Sequence, residues 1–155
     1  MINCLDDNIR VELGKSTPQA GEAAWISLQR AVEDLKDGKL DVLVTAPIDK
    51  HNIQSEHFRF NGHTEYLESV FGVSEALMFL VGGNMRIGVA TGHIPLHKVS
   101  EKLTIELLVR KIRLMHHSLI YDFGIRKPRI AVLGLNPHAG DNNLLGTEET
   151  EVIIP

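Results

Sequence analysis

Arg129-Ile130-Ala131-Val132-Leu133-Gly134-Leu135-Asn136-Pro137-His138-Ala139-Gly140 is the stretch whose reading decides the fold class. After the arginine it runs apolar and β-rich with no helical period, then stops at Asn136-Pro137, a pair that turns the chain. Just upstream, residues 104–123 set Leu108, Ile112, Met115 and Leu119 on one helical stripe, with Gly124 as the stop. The same succession of helix and strand occurs earlier. Thr17-Pro18 reads as an N-cap with proline at the first helical position, and Ala24, Leu28, Ala31, Val32 and Leu35 follow at helical spacing up to Gly38. Asp41-Val42-Leu43-Val44-Thr45 is then a short strand, expected to be buried, ending at Ala46-Pro47.

Between these two helix–strand pairs the pattern changes. Residues 48–62 carry little period and read as a loop with a short helical turn. Thr64 is expected to cap a helix through about Val70, closed by Gly72. Leu77–Val81 and Arg86–Thr91 flank Gly82-Gly83-Asn84, which predicts a β-hairpin. Residues 136–146 form a Gly- and Asn-rich loop, and Thr147-Glu148-Glu149 opens a last helix. The first thirteen residues have no clear period. The alternation predicts an α/β architecture, a mixed sheet with flanking helices and one antiparallel hairpin. A helix that begins and is not finished suggests that residues 1–155 are a single partial domain of something larger.

Composition narrows the function. Hydrophobic residues make up 43% and charged residues 23%, as in an ordinary globular protein. The apolar runs are strand-sized, and the N-terminus lacks the pattern of a signal peptide, so no membrane partner is expected. Cys4 is the single cysteine, which fits a reducing cytoplasm. A net charge of −4 with no basic block argues against nucleic acid. Eight histidines draw the closest reading.

Ligands of α/β sheets gather beyond the carboxyl ends of strands, here the loops after Thr45, Thr91 and Leu135. Two of these carry a histidine, His93 in Thr91-Gly92-His93-Ile94-Pro95-Leu96 and His138 in Gly134-Leu135-Asn136-Pro137-His138-Ala139-Gly140. Imidazole is a common metal ligand, and a catalytic metal takes about three ligands and leaves a position open. Two histidines are an incomplete site. Read from residues alone, each either ligates a metal or hydrogen-bonds backbone carbonyls in a tight turn. His63 and Thr64 stand at a helix start, where free N–H groups favour an anionic ligand, or Thr64 is a plain cap and His63 is solvated. Gly14-Lys15-Ser16-Thr17 mimics the end of a phosphate-binding P-loop, but Ile9 holds the position of its first glycine. No GxGxxG fingerprint is present.

Five strings carry a resemblance in order and spacing: Thr45-Ala46-Pro47-Ile48-Asp49-Lys50, Gly62-His63-Thr64-Glu65, Thr91–Leu96, Gly134–Gly140 and Gly146-Thr147-Glu148-Glu149. Together they resemble the 4-hydroxythreonine-4-phosphate dehydrogenases of vitamin B6 synthesis, over about residues 16–155. The resemblance implies an isocitrate/isopropylmalate-dehydrogenase-like fold and a homodimer with active sites at the subunit interface. It implies oxidation of 4-phosphooxy-L-threonine with NAD or NADP, followed by decarboxylation. His63 and Thr64 match the family's substrate contacts; His93 and His138 match its ligands to a divalent metal such as zinc, magnesium or cobalt. The family's third metal histidine lies in a downstream His-Asp-Gln-Gly motif that this sequence lacks, as it lacks further substrate-binding residues and part of the first domain. The chain is thus expected to be the central portion of a two-domain enzyme, inactive alone. Ala46 and Asp141 stand where glycine and glutamate are usual. Related enzymes that oxidise threonate or erythronate phosphates share the same histidines, and a non-catalytic, dimerising metal-binding module is the alternative from another class.

Overall fold

The computed structural model describes residues 2–5, 9 and 12–155. The reading of residues 1–13 as lacking a clear period lies partly outside them. Among the described residues, four α-helices, α1 (Pro18–Lys36), α2 (His63–Phe71), α3 (Val99–Lys102) and α4 (Ile105–Tyr121), accompany one antiparallel hairpin of β1 (Phe79–Gly82) and β2 (Met85–Gly88). The chain divides into two compact units, residues 1–76 and 77–155. Among the described residues, no helix is long and apolar enough to cross a membrane.

In the first unit the expected helix forms. Thr17 is extended (φ −121°) and its hydroxyl accepts from the Ala20 amide at 3.2 Å, while Gly38 takes φ +68° beyond the last turn. Leu28 and Val32 turn inward against Ile53, Phe58 and Tyr66, with Trp25, Leu43 and Phe60 packed around them. Trp25 meets Tyr66 edge-on at 5.3 Å, and Phe58 lies 5.5–5.6 Å from Trp25, Phe60 and Tyr66. Burial of each such side chain contributes roughly 1.5–3 kcal/mol, with an increment for each well-angled ring pair.

The loop after Pro47 is tied to the start of α1. Asp49 accepts from the Ser16 hydroxyl at 2.5 Å and from the His51 and Asn52 amides, and Asn52 donates its side-chain amide to the Thr17 carbonyl. Gly21 lets this loop approach, since a Cβ there would overlap the Asn52 carbonyl.

Two expectations for this unit are corrected. Thr64 does not cap α2; it is the second helical residue, and extended Gly62 (φ 173°) holds the cap position without a side-chain bond. The helix starts two residues earlier than a threonine cap would allow because the Gly62 carbonyl already accepts from the Tyr66 amide. Residues 41–45 belong to no strand ladder among the described residues, and Val42 and Val44 are exposed. Only Leu43, the inward residue of the alternation, packs on the core.

The second unit opens with the predicted hairpin, in the register Leu80 to Ile87 and Val81 to Arg86, turning at Gly83 (φ +51°). α4 begins at a Thr104 cap that accepts from the Leu107 amide, and it buries Leu108 and Leu119. Gly88 of β2 lies so close to α4 that a Cβ would stand 3.3 Å from Met115 Sδ. Residues 129–135 belong to no helix or strand ladder among the described residues. Ile130 and Val132 nonetheless line an 80 Å³ cavity with Val89, Leu108, Ile112 and Met115, which sets this segment beside β2 and α4. Of the predicted mixed sheet, the hairpin alone is paired among the described residues. The last predicted helix is a short π-helical turn, Glu149–Ile153.

Candidate active site

His93 and His138 stand where the sequence puts them, on the loops that follow β2 and segment 129–135. Both are exposed, and both belong to the second unit. Their backbones share an uncommon property: φ is +47° at His93 and +52° at His138, the left-handed region that side chains with a Cβ rarely enter. At His138 the conformation continues through Ala139, Gly140, Asp141, Asn142 and Asn143. Each non-glycine residue held there costs about 1 kcal/mol or more, and such residues persist where their surroundings over-determine them.

The surroundings are visible. Glu149, 3% exposed, receives the Leu135 and Asn136 amides on Oε1 at 2.7 Å each, and the Asn136 side-chain amide on Oε2 at 2.9 Å. Asn136 Nδ2 also donates to Glu148 Oε2 at 2.7 Å. The backbone and then the side-chain bond from Asn136 hold the Glu149 carboxyl below the ordinary carboxylate range, against the opposing effect of burial. The Asn136 side chain is the main cause of the same direction at Glu148. Gly140 (φ +81°) and Gly146 (φ +138°) complete the enclosure: a Cβ on Gly140 would stand 2.8 Å from the Gly146 carbonyl, and one on Gly146 would overlap the Asn136 side-chain amide.

Residue type alone singles out neither Glu149 nor Asn136 as part of a site, although both stand in the strings that carry the family resemblance. The available signal was indirect, since Asp-Asn-Asn between glycines favours positive φ and so marks a tight left-handed loop.

His63 and Thr64, both half-buried, begin α2 in the first unit. His63 lines an apolar cavity of about 240 Å³ with Ala24, Leu28, Leu43, Thr45 and Pro47. No side chain caps this helix start.

The donor set can be tested against a divalent ion. Two exposed imidazoles on stiffened loops of one unit suit a metal, but among the described residues no three or more His, Cys, Asp or Glu side chains converge. The described residues therefore form no complete metal site.

A family model described as pyridoxal phosphate biosynthetic protein PdxA matches residues 1–155. The chain belongs to the PdxA family. It is similar to the 4-hydroxythreonine-4-phosphate dehydrogenase of Bacteroides thetaiotaomicron, with 51% identity over 156 residues, 100% of this chain and 43% of that protein. Its likeness to the enzyme of that name from a Sulfurihydrogenibium species is 41% over 155 residues, 100% of this chain and 48% of the other. Among solved structures, a 4-hydroxythreonine-4-phosphate dehydrogenase from Burkholderia phymatum superposes with a TM-score of 0.74 at 38% identity, covering 98% of this chain and 46% of that one. One from Klebsiella pneumoniae gives 0.78 at 29% identity, covering 94% and 44%. This PdxA chain spans a little under half the length of the curated relatives it matches.

Proposed function

We propose that this chain supplies one part of a metal- and NAD(P)-dependent dehydrogenase site that oxidises 4-phosphooxy-L-threonine on the way to pyridoxal phosphate in the cytoplasm. The observation that carries the reading is the shared left-handed backbone of His93 and His138, two imidazoles held at the ends of neighbouring strand-like segments. They are the residues that would hold the divalent ion. When bound, such an ion polarises the substrate alcohol and stabilises negative charge on oxygen. His63 and Thr64 would receive the phosphorylated hydroxy acid at the start of α2, where the uncapped N–H groups of the first turn favour an anion.

The family membership and the order of β2, α4 and segment 129–135 support an isocitrate/isopropylmalate-dehydrogenase-like sheet, with residues 1–155 as a partial domain of a two-domain enzyme. The exposed Leu80, Val81, Met85 and Ile87 of the hairpin support a homodimer.

With two protein ligands, the chain binds zinc weakly and turns over no substrate alone, because misplaced or missing groups cost a hundredfold or more in rate. Calorimetric titration with zinc tests the reading. Binding should disappear in the His93→Ala, His138→Ala double variant; binding that survives it, or robust NADH production by the purified chain, would overturn the assignment.

A further inference from the structure

We propose that Glu149 is the positioning residue of the His138 loop. Its buried carboxylate takes up the amide hydrogens of Leu135 and Asn136, and so fixes the backbone from which His138 projects in its left-handed conformation. As a role in metal binding this rests on the reading of His138 as a ligand; as a statement about the loop it does not.

Four observations on this chain meet at one side chain. Glu149 is almost fully buried in a segment that otherwise exposes Thr150 and Glu151. A carboxylate is taken out of water only where donors replace the solvent, and here three N–H groups do so, all from Leu135 and Asn136. Those two residues immediately precede Pro137-His138. Proline fixes φ at Pro137, so less backbone freedom separates the histidine from the pair that Glu149 grips. Finally, Gly134 and Gly140 bring the backbone against the same carboxylate: a Cβ on either would stand 3.2 Å and 3.0 Å from its oxygens. The loop is folded around this one group. His138 touches the ion in the proposed site; Glu149 acts only through the backbone that carries His138.

The charge and the length of the side chain both matter. Glutamine keeps one oxygen for the two backbone amides but presents an N–H group to the Asn136 side chain, which is itself a donor. Aspartate keeps the charge and falls one methylene short. Alanine removes every acceptor.

The experiment compares Glu149→Ala, Glu149→Gln and Glu149→Asp with the parent chain. Three readouts are needed: circular dichroism, amide hydrogen exchange with ¹³C shifts at residues 135–139, and zinc titration. The expected result is a normal helical spectrum with exchange at Leu135 and Asn136 accelerated at least tenfold in the alanine variant. Zinc affinity should fall by roughly 10- to 100-fold, the usual cost of losing a group that orients a ligand. Glutamine should restore part of both effects. Zinc affinity in the alanine variant equal to that of the parent would overturn the proposal. If that variant does not fold, glutamine and aspartate carry the same comparison, and unchanged affinity in both has the same meaning. If zinc binding by the parent proves insensitive to loss of His93 and His138, the functional reading fails instead. The loop is then judged on ¹³Cα shifts: displacement of His138 and Ala139 from left-handed values in the variants supports the positioning role, and retention overturns it.

Discussion

Asn136 donates to Glu149 twice, through its backbone amide at 2.7 Å and its side-chain amide at 2.9 Å, and so binds the start of one loop to the turn that ends it. Side chains do not usually bridge loop ends in this doubled way. Here the enclosed loop carries a candidate ligand, and both ends are held by a single residue pair. A flexible Gly- and Asn-rich sequence therefore has one geometry.

Closing the loop this tightly makes its glycines specific. Gly140→Ala should disrupt it, because φ there is +81° and the new methyl would stand 2.8 Å from the Gly146 carbonyl. Strain of about 1–3 kcal/mol is expected at such a position. Zinc titration and exchange at Leu135 check this: both should change in the direction expected for Glu149→Ala. Parent-like values for both would show that the loop has slack.

Gly21 in α1 makes the opposite kind of demand, on packing alone. Its φ is ordinary, but a methyl would overlap the Asn52 carbonyl. Gly21→Ala would be favoured on helix propensity by about 1 kcal/mol, yet the overlap should reverse the sign and leave a net loss of about 1–3 kcal/mol. Urea unfolding with an unchanged slope and a lower midpoint is the expected outcome. A higher midpoint would mean that the Asp49–Asn52 turn can step away from the helix.

Phe58 is fully buried at the centre of the first unit's aromatic cluster. Phe58→Ala should cost about 3–5 kcal/mol, the range for emptying a phenylalanine site. Phe71, which is exposed, should tolerate the same change within about 0.5 kcal/mol. Comparable losses at the two positions, measured by thermal unfolding, would contradict the core assigned here.

Asp34, only 6% exposed, sits between Arg30 at 2.9 Å and Lys39 at 3.1 Å. The hydrogen bonds from Arg30 and then Lys39 hold its carboxyl below the ordinary range. A depressed carboxyl contributes stability that is complete above its unfolded value and is lost as pH falls through its folded one. Stability should hold from neutrality down through the usual carboxylate range and decline below it, and Asp34→Asn should flatten that acid limb. Parallel acid limbs for parent and variant, in urea midpoints measured against pH, would remove Asp34 from the account.

The proposed homodimer should show in solution as a mass near twice the 17.2 kDa of one chain. Leu80 and Val81 are more than half exposed on the hairpin and face no other described residue that would cover them fully. Val81→Lys should then return the mass to that of a single chain at micromolar concentration, because a charge at the edge of a strand blocks pairing. A single-chain mass for the parent, unchanged on concentrating, would rule the dimer out.

Helices α1 and α4 were legible because their signals are local. Thr17, Gly38, Thr104 and Gly124 punctuate α1 and α4, and the apolar stripes of both helices match the residues that turn inward. The hairpin was legible from Gly83-Asn84. The fate of residues 41–45 was not, because an apolar alternation specifies a strand but not whether a neighbour is present to pair with it. Thr64 misled for a related reason: a helix start depends on which carbonyl accepts first, and the Gly62 carbonyl does so without help from a side chain. His93 and His138 could be picked out by residue type and by their place after strand-like runs. Glu149 could not, since its importance comes from contacts with residues more than ten positions away.

The run of left-handed residues from His138 to Asn143 has a consequence for protein chemistry. At Ala139, φ is +51° and ψ is +43°, the mirror image of ordinary helical angles. An alanine of inverted chirality is at ease there, while the natural one is not. A chain assembled by chemical ligation with D-alanine at position 139 should therefore fold to the same loop and be more stable by roughly 1 kcal/mol, although the same replacement at Ala24 inside α1 would break the helix. This loop is a place where the handedness of the building block, and not its side chain, limits stability.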